Sequence, residues 1–228
     1  MNFRFVVLCS CLISANCVAE LRNSVSVTNK YIHRGLQYPS HSNAVSWLTE
    51  YQSKQGWYVG MWANRQDIEG LRGDNEIDYW VGYVQTINDT LAVDLSISRY
   101  TFPSADSVNY DWEESTLAIH MGQAWTLVAG VNRNQFSQGE AGNFFEITHR
   151  RNLDGLGIPP LLLDVSVGRV ANDLLSDNDF VYGEIGVSKT LGHWQPRFAW
   201  SNTSGENPTN YFQQFTEGEW KFSLSYSF

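Results

Sequence analysis

Acidic side chains recur at the polar positions of segments in which apolar and polar residues alternate. Alternation of this kind places every second side chain on one face of a β-strand. Carboxylates gathered on one face around a narrow passage concentrate cations and repel anions. Basic residues on the same face are expected to pair with some of these acids, because an unpaired buried charge is costly. The acidic positions are Glu50, Asp78, Asp94, Glu114, Glu146, Asp164 and Glu184, and the basic ones are Lys30, Arg197 and Lys221.

Catalytic chemistry has little support in the sequence. Neither Gly-x-Ser-x-Gly nor His-Glu-x-x-His occurs, and the histidines are scattered along the chain. The one His-Ser pair, His41-Ser42, falls in a predicted loop. We therefore predict no catalytic residues, no metal site and no cofactor. An outer-membrane lipid-modifying enzyme stays as the weaker alternative.

Twelve alternating segments predict twelve β-strands, most of about 8–11 residues, which is the length of a tilted transmembrane strand. The last segment is the clearest, because Trp220, Phe222, Leu224 and Tyr226 alternate with lysine and serine. No helical periodicity of useful length occurs. The predicted strands start near Ser24, Asn43, Trp57, Ile77, Leu91, Asp111, Trp125, Phe144, Leu161, Phe180, Trp194 and Glu219.

The connections between the predicted strands are of two kinds. Those after the second, fourth, sixth and tenth strands are brief, and those after odd-numbered strands are longer. The segment from Asn152 to Pro160 departs from this rule, because it is a long connection at the end that otherwise carries short turns. Short turns at one end and long loops at the other indicate a single antiparallel outer-membrane β-barrel. An even strand count then places both termini in the periplasm.

Tryptophans decide between this barrel and a soluble β-sandwich, whose strands would also alternate. Trp57, Trp125 and Trp194 follow short turns on the apolar face, and Trp200 and Trp220 lie at its long-loop end. Two aromatic girdles around an aliphatic band suit a surface embedded in a bilayer. The tryptophans therefore favour the barrel, with its apolar face outward and its charged face inward.

The first residues predict a secretory signal peptide over residues 1–19, followed by a barrel domain over residues 20–228. A basic start at Met1–Arg4 precedes an apolar run, and small residues end at Ala19. All three cysteines fall within that segment, so the exported chain is expected to lack disulfides. The formal net charge of −9 makes nucleic acid an unsuitable partner.

Several motifs resemble the TorF family of porins, formerly described as a conserved proteobacterial family of unknown function. The most specific is Tyr31-x-x-Arg34-Gly35-x-Gln37, in which Arg34 is expected at the outer mouth of the barrel. The resemblance covers the chain after the signal peptide and implies an outer-membrane barrel with a pore, without catalytic residues or a defined substrate. The other matching segments are Gly56–Ala63, Glu76–Tyr79 and Tyr100–Pro103.

The function predicted from the sequence is a porin for small solutes, weakly cation-selective if the lumen is open. The alternative is a closed structural or surface-binding barrel, because side chains fill the interiors of small barrels. Small inward residues are expected to leave room in the lumen. These are Ser26, Gly60, Gly82, Gly130, Gly168, Gly186 and Ser225.

Two sets of residues predict partners in the outer membrane of a Gram-negative bacterium. Arg65, Arg99, Arg133 and Arg169 recur at the loop-side ends of odd-numbered strands with outward parity. Arginines at that depth suit the phosphates of lipopolysaccharide. The aromatic end of the last strand, Tyr226 and Phe228, resembles the signal read by the barrel assembly machinery.

Overall fold

The computed structural model describes residues 19–37, 43–65, 75–103, 111–133, 141–153, 161–172, 179–205 and 214–228. The predicted signal peptide lies outside these ranges except for Ala19. No helix within the described ranges is long and apolar enough to cross a membrane. The strands are β1 Glu20–Thr28, β2 Ile32–His33, β3 Leu36–Gln37, β4 Ala44–Gln52, β5 Trp57–Arg65, β6 Asn75–Asn88, β7 Leu91–Thr101, β8 Trp112–Met121, β9 Trp125–Arg133, β10 Ala141–Asn152, β11 Leu162–Asn172, β12 Phe180–Ser188, β13 Trp194–Ser204, β14 Gln214–Phe215 and β15 Glu219–Ser227.

Twelve of these strands form a closed antiparallel barrel, which confirms the predicted fold class and strand count. Each barrel strand pairs with its neighbours along the chain, once β2, β3 and β14 are set aside. The barrel closes where β1 pairs with β15, with Val27 opposite Leu224. Closure removes the unpaired strand edges that an open sheet would present.

The three short strands form a separate sheet in the order β14-β3-β2. Ile32 pairs with Gln37 to make a tight hairpin, and Gln214 pairs with Gln37 on its other side. We call residues 31–37 the lumen hairpin, because its side chains contact the inner wall of the barrel. Residues 31–37 of the connection between β1 and β4 therefore fold into the bore.

The barrel is apolar outside and polar inside, the reverse of a soluble β-sandwich. Outward residues such as Ile97 and Val167 are 58% and 54% exposed, whereas the inward Asp78 is only 2% exposed. This inversion follows the strand period, because alternate side chains point to opposite faces. Exposed aliphatic side chains on this scale suit contact with lipid rather than water.

Aromatic side chains ring the outer surface at both ends. Trp57, Trp125 and Trp194 are exposed at the end that carries the short turns, and Trp47 and Trp220 are exposed at the other end. Indole rings prefer the interface between hydrocarbon and water. The two girdles therefore delimit an aliphatic band of the kind that a bilayer covers.

Both described ends of the chain lie at the short-turn end of the barrel. Glu20 pairs with Gln52, beside the turn that connects β4 and β5. The backbone N–H of Phe228 donates to the carbonyl oxygen of Asn23 at 3.1 Å, which joins the last residue to β1. The turn between β4 and β5 requires glycine at position 56. Its φ is 93°, and a Cβ there would lie 2.2 Å from the carbonyl oxygen of Val84.

Candidate functional site

The inner wall carries the charged side chains that alternation places there. Eight of the ten predicted positions are buried, whereas Lys30 and Glu146 are half-buried. The lumen at these levels is therefore narrow and largely filled with side chains. The buried eight are Glu50, Asp78, Asp94, Glu114, Asp164, Glu184, Arg197 and Lys221.

A neutral ionic cluster joins four neighbouring strands, β11, β12, β13 and β15. Arg197 Nη2 lies 2.5 Å from an Asp164 carboxylate oxygen and 2.8 Å from one of Glu184. Lys221 Nζ lies 2.5 Å from the other carboxylate oxygen of Glu184. Two cations thus balance two acids, as expected for charges taken out of water.

Three further carboxylates receive hydrogen bonds from neutral aromatic donors. These bonds hold the carboxylates in place but do not cancel their formal charge. Each pair links a strand to the next but one on the inner wall. The bonds are Trp80 Nε1 to Glu50 at 2.8 Å, Tyr58 Oη to Asp94 at 2.6 Å and Tyr182 Oη to Glu146 at 2.7 Å.

Arg34 attaches the lumen hairpin to the inner wall. Its two terminal nitrogens donate to the two oxygens of Glu114 at 2.6 and 2.8 Å, and its guanidinium carbon lies 3.3 Å from the centre of the Phe144 ring. A bidentate pair of this kind is the strongest arrangement for an arginine and a carboxylate. Burial is the largest single influence and lowers the pKa of Arg34, but the charge of Glu114, its hydrogen bonds and the nearby Tyr100 and Tyr182 together outweigh burial and raise the pKa.

Gly35 and Leu36 seat the turn of the hairpin against the wall. The carbonyl oxygen of Gly35 accepts bonds from Thr203 Oγ1 at 2.7 Å and from the Thr216 backbone N–H at 3.1 Å. A Cβ on Gly35 would lie 2.4 Å from both the Thr203 hydroxyl and Tyr182 Cβ. Leu36 packs into an apolar cluster on β8 to β12. That cluster also contains Ala118, Val128, Phe144, Val170, Phe180 and Tyr182.

The base of the hairpin contacts a different part of the wall. The Tyr31 and Trp62 ring centroids are 5.5 Å apart, which joins the hairpin to β5. His33 meets Tyr100 of β7 edge-on at 6.0 Å. Together with the Arg34–Glu114 pair, these contacts show that the hairpin extends across the bore and narrows it.

The prediction that inward glycines leave room in the lumen is wrong at several positions. A Cβ on Gly60 would lie 2.2 Å from the Trp80 ring, and one on Gly130 would lie 2.2 Å from the Phe144 ring. Gly82 and Gly168 are covered by tyrosine rings and Gly186 by a guanidinium in the same manner. The glycines let large side chains lie flat along the wall, so the space above them is filled.

One side of the lumen nevertheless holds a small cavity of about 60 Å³. The wall residues that line it come from β1, β4, β5, β6, β13 and β15, and the lumen hairpin closes its other side. Among the ten predicted pore residues, Lys30, Asp78, Arg197 and Lys221 line this cavity, and the other six lie elsewhere on the inner wall.

The four predicted lipid-facing arginines, Arg65, Arg99, Arg133 and Arg169, are exposed on the outside of the barrel at the long-loop ends of β5, β7, β9 and β11. Arg99 and Arg133 both pair in register with Glu113. Arg99 also forms ion pairs with Asp111 and Glu113 at 3.2 and 3.3 Å, and Arg169 pairs with Asp179.

The aromatic end of the chain lies at the short-turn end. Phe228 is exposed, and the rings of Tyr226 and Phe228 stack at 6.0 Å. Tyr226 also contacts Trp194 of the neighbouring strand at 4.7 Å. The residues predicted as the assembly signal are therefore part of the aromatic girdle at the short-turn end.

Sequence reasoning did not single out three titratable side chains that the structure buries on the inner wall, Glu76, His120 and Arg150. They have the inward parity of Asp78, Glu114 and Glu146, so the alternation alone could have found them. The insertion of the hairpin had no comparable signal. Its only trace is the Arg34-Gly35 pair, in which Arg34 adopts a φ of 48° and Gly35 a φ of 76°.

A family described as "Bacterial protein of unknown function (Gcw_chp)" matches residues 14–228. The chain belongs to this family. The match agrees with the expected family of unknown function but does not support the TorF name in particular. No curated protein has a sequence that matches the chain.

Solved porins share the fold of this Gcw_chp protein. A KdgM porin aligns with a TM-score of 0.55 and 10% identity over 91% of this chain and 99% of its own. A NanC porin aligns with a TM-score of 0.58 and 8% identity over 90% of this chain and 98% of its own. A further structure, the KdgM porin in complex with disordered oligogalacturonate, aligns with a TM-score of 0.54 and 12% identity over 91% and 99%. The protein therefore has a porin-like barrel fold.

Proposed function

We propose that the protein is a narrow outer-membrane channel for small hydrophilic solutes, with a weak preference for cations. The observation that carries this proposal is the small cavity beside the lumen hairpin, inside a wall richer in acids than in bases. The porin-like fold supports a channel over an enzyme or a closed scaffold. An aqueous passage confined to one side of the hairpin would conduct ions slowly and exclude large solutes.

The preference for cations follows from charge balance among the described inner-wall residues. The ionic cluster and the Arg34–Glu114 pair are each neutral, whereas Glu50, Asp94 and Glu146 each accept a hydrogen bond from a neutral aromatic side chain. The excess of carboxylates makes the electrostatic potential in the lumen negative, and low-dielectric walls strengthen it. Small cations are therefore enriched relative to anions.

This charge also bears on the solute. The KdgM porin has been seen with oligogalacturonate, a polyanion. An acidic inner wall opposes the entry of a polyanion, so we propose a different class of solute for this protein.

The location and orientation belong to the same proposal. The two aromatic girdles support insertion in a bilayer, and the short-turn end with both termini is assigned to the periplasm. Export would use the predicted signal peptide at residues 1–19, and insertion would use the barrel assembly machinery acting on Tyr226 and Phe228.

The test is the single-channel current of the purified, refolded protein in planar bilayers, with the reversal potential measured across a KCl gradient. We expect small currents and a reversal potential on the cation-selective side. The combined Glu50→Gln, Asp78→Asn and Asp94→Asn variant should shift the reversal potential toward anions. An outward Glu113→Gln variant is the control and should leave it unchanged. A correctly folded barrel without current would refute the channel and favour the closed scaffold.

A further inference from the structure

A groove of about 890 Å³ crosses the outer surface of the barrel from β5 to β10, and we call it the outer groove. Two rows of outward side chains border it, and the backbone between the rows forms its floor. The row nearer the short turns extends in register from Trp57 to Phe145, and the row nearer the long loops extends from Val81 to Asn143. The groove therefore lies within the aliphatic band that a bilayer covers.

Along β8–β10 the chemistry of the outer surface changes in steps toward the long-loop end. Leu117 and Ala129 border the groove on its short-turn side and are apolar. Ser115 and Asn143 border it on the other side and bring a hydroxyl and an amide. Arg133 lies one outward position further, on the strand between them. Successive outward residues of a strand are about 7 Å apart, so the surface follows the order found along a lipid, from acyl chain through carbonyl linkage to phosphate.

Arg133 is a cation without an acidic partner beside the outer groove. Its side chain is exposed, and within the described ranges it forms no ion pair, although Glu113 is its neighbour in register. Glu113 pairs with Arg99 instead, and both side chains of that pair are more than half exposed. Exposed ion pairs contribute little, so a phosphate can compete for Arg99 as well. Two guanidinium groups on either side of β8 thus offer planar sets of donors that suit a phosphate.

Ser115 and Asn143 need hydrogen-bond partners at this depth. Neither side chain has one within the described part of the chain, and hydrocarbon supplies none. The ester and amide linkages of a lipid carry carbonyl acceptors, and hydroxylated acyl chains carry donors. A lipid whose phosphate reaches Arg133 places such groups beside both side chains.

We propose that the outer groove, with Arg99 and Arg133 beside it, binds one lipopolysaccharide molecule. A lipid A phosphate lies between the two arginines, and one acyl chain lies in the groove. The site is outside the lumen and goes beyond the proposed channel, although it uses the orientation that assigns the long-loop end to the outer leaflet. The groove volume lies within the usual range for ligand sites, roughly 300–1,000 Å³.

The two parts of the site have different tasks. All acyl chains are about equally apolar, so the shape of the groove sets where a chain lies, and the phosphate contacts decide which lipid binds. Arg65 and Arg169 also point outward at the long-loop end, but neither borders the groove, and Arg169 pairs with Asp179. The proposal therefore narrows the four predicted lipid-facing arginines to Arg99 and Arg133.

The test is a titration of the refolded full barrel in detergent with bisphosphorylated lipid A, followed by native mass spectrometry. EDTA is present, because divalent cations would otherwise bridge lipid phosphates to the nearby carboxylates. Arg99→Ala combined with Arg133→Ala should weaken binding at least about tenfold, the effect of about 1.4 kcal/mol. Arg65→Ala combined with Arg169→Ala is the matched control, since it removes the same charge at the same end of the barrel. It should change the affinity little.

Ala129→Trp tests the groove separately from the charges. Its indole would fill the middle of the groove while both arginines stay in place, so lipid A should bind more weakly. Ala63→Trp is the control, because Ala63 has the same outward parity on β5 but does not border the groove. Heat-modifiable gel migration verifies that every variant is folded.

Three results would overturn the proposal. Equal losses in the two double arginine variants would indicate a general attraction between cations and phosphates rather than a site. Equal binding of lipid A and its dephosphorylated form would remove the phosphate contact. Tighter binding of phosphatidylglycerol than of lipid A would assign the groove to a glycerophospholipid. None of these measurements depends on KCl current, so the site stands or falls separately from the proposed channel.

Discussion

The two sides of the lumen differ in how the inner wall meets the hairpin. Toward β8–β12 the wall carries an apolar cluster and the Glu114 carboxylate, and Leu36 and Arg34 dock against them. Toward β1, β4–β6, β13 and β15 it carries hydroxyls, an amide and compensated charges, and a cavity remains. The same hairpin thus closes one half of the bore and leaves a small cavity in the other.

The hairpin lies against the wall on which it can bury apolar surface and pair its charge. Burying Leu36 releases water from apolar surface, and the Arg34 pair adds a buried bidentate contact on the same side. The opposite wall carries polar groups around the cavity, among them the hydroxyl of Ser46, so contact with it would bury little apolar surface and would cost the desolvation of polar groups. The hairpin therefore leans toward β8–β12, and any passage is displaced toward β1.

The largest effect is expected from Gly35→Leu, which should unseat the hairpin. A Cβ there would overlap Tyr182 and Thr203, and the φ of 76° is unfavourable for leucine. Single-channel conductance should rise severalfold, because the closed side of the lumen opens. Gly183→Ala is the matched control, since its Cβ would make only an ordinary contact at 3.6 Å. Equal conductance in the wild type and in Gly35→Leu would show that the hairpin does not narrow the passage.

Arg34→Ala comes next, because it leaves Glu114 buried against the wall without its main cation. Breaking a buried pair costs roughly 3–5 kcal/mol, whereas an exposed pair is worth about 0–1 kcal/mol. Urea unfolding followed by gel migration should therefore show a far larger loss for Arg34→Ala than for Arg99→Ala, whose ion pairs are exposed. Similar losses in the two variants would mean that the hairpin contributes little to the stability of the barrel.

A smaller effect should show which side of the lumen conducts ions. Asp78→Asn alters a carboxylate that lines the cavity, whereas Glu146→Gln alters one bonded to Tyr182 on the closed side. If ions pass only beside β1–β6, the reversal potential should move toward anions in Asp78→Asn and stay near the wild-type value in Glu146→Gln. The reverse order of effects would place the passage on the other side of the hairpin.

The smallest effect concerns the outer surface. Replacing Arg65, Arg99, Arg133 and Arg169 with alanine should reduce the extra thermal stability that added lipopolysaccharide confers, because guanidinium groups bind phosphates. The loss should be modest, since Arg99 and Arg169 already pair with acids. Lys54→Ala with Lys189→Ala is the control at the short-turn end. An unchanged lipopolysaccharide effect in the four-alanine variant would remove the proposed lipid contact.

The strand pattern could be predicted closely because a two-residue period is a local property. β5, β7 and β9 begin at the predicted Trp57, Leu91 and Trp125. β1 begins four residues before the predicted Ser24, where Leu21 still points outward. The same parity identifies which charged residues lie on the inner wall, since side chains on one face must follow the alternation.

The barrel, its inward and outward faces and the acidic character of the lumen follow from the amino-acid sequence alone, because these features depend on residue type and strand parity. How the lumen is filled depends on contacts that form only in the folded chain. Arg34 meets Glu114 across 80 positions of chain, and Phe144 covers Gly130 from the next strand. Such contacts depend on strand register and on the path of an irregular loop, and no local period encodes either. For this reason the glycines expected to leave space are covered, and the small cavity lies where wall hydroxyls face the hairpin.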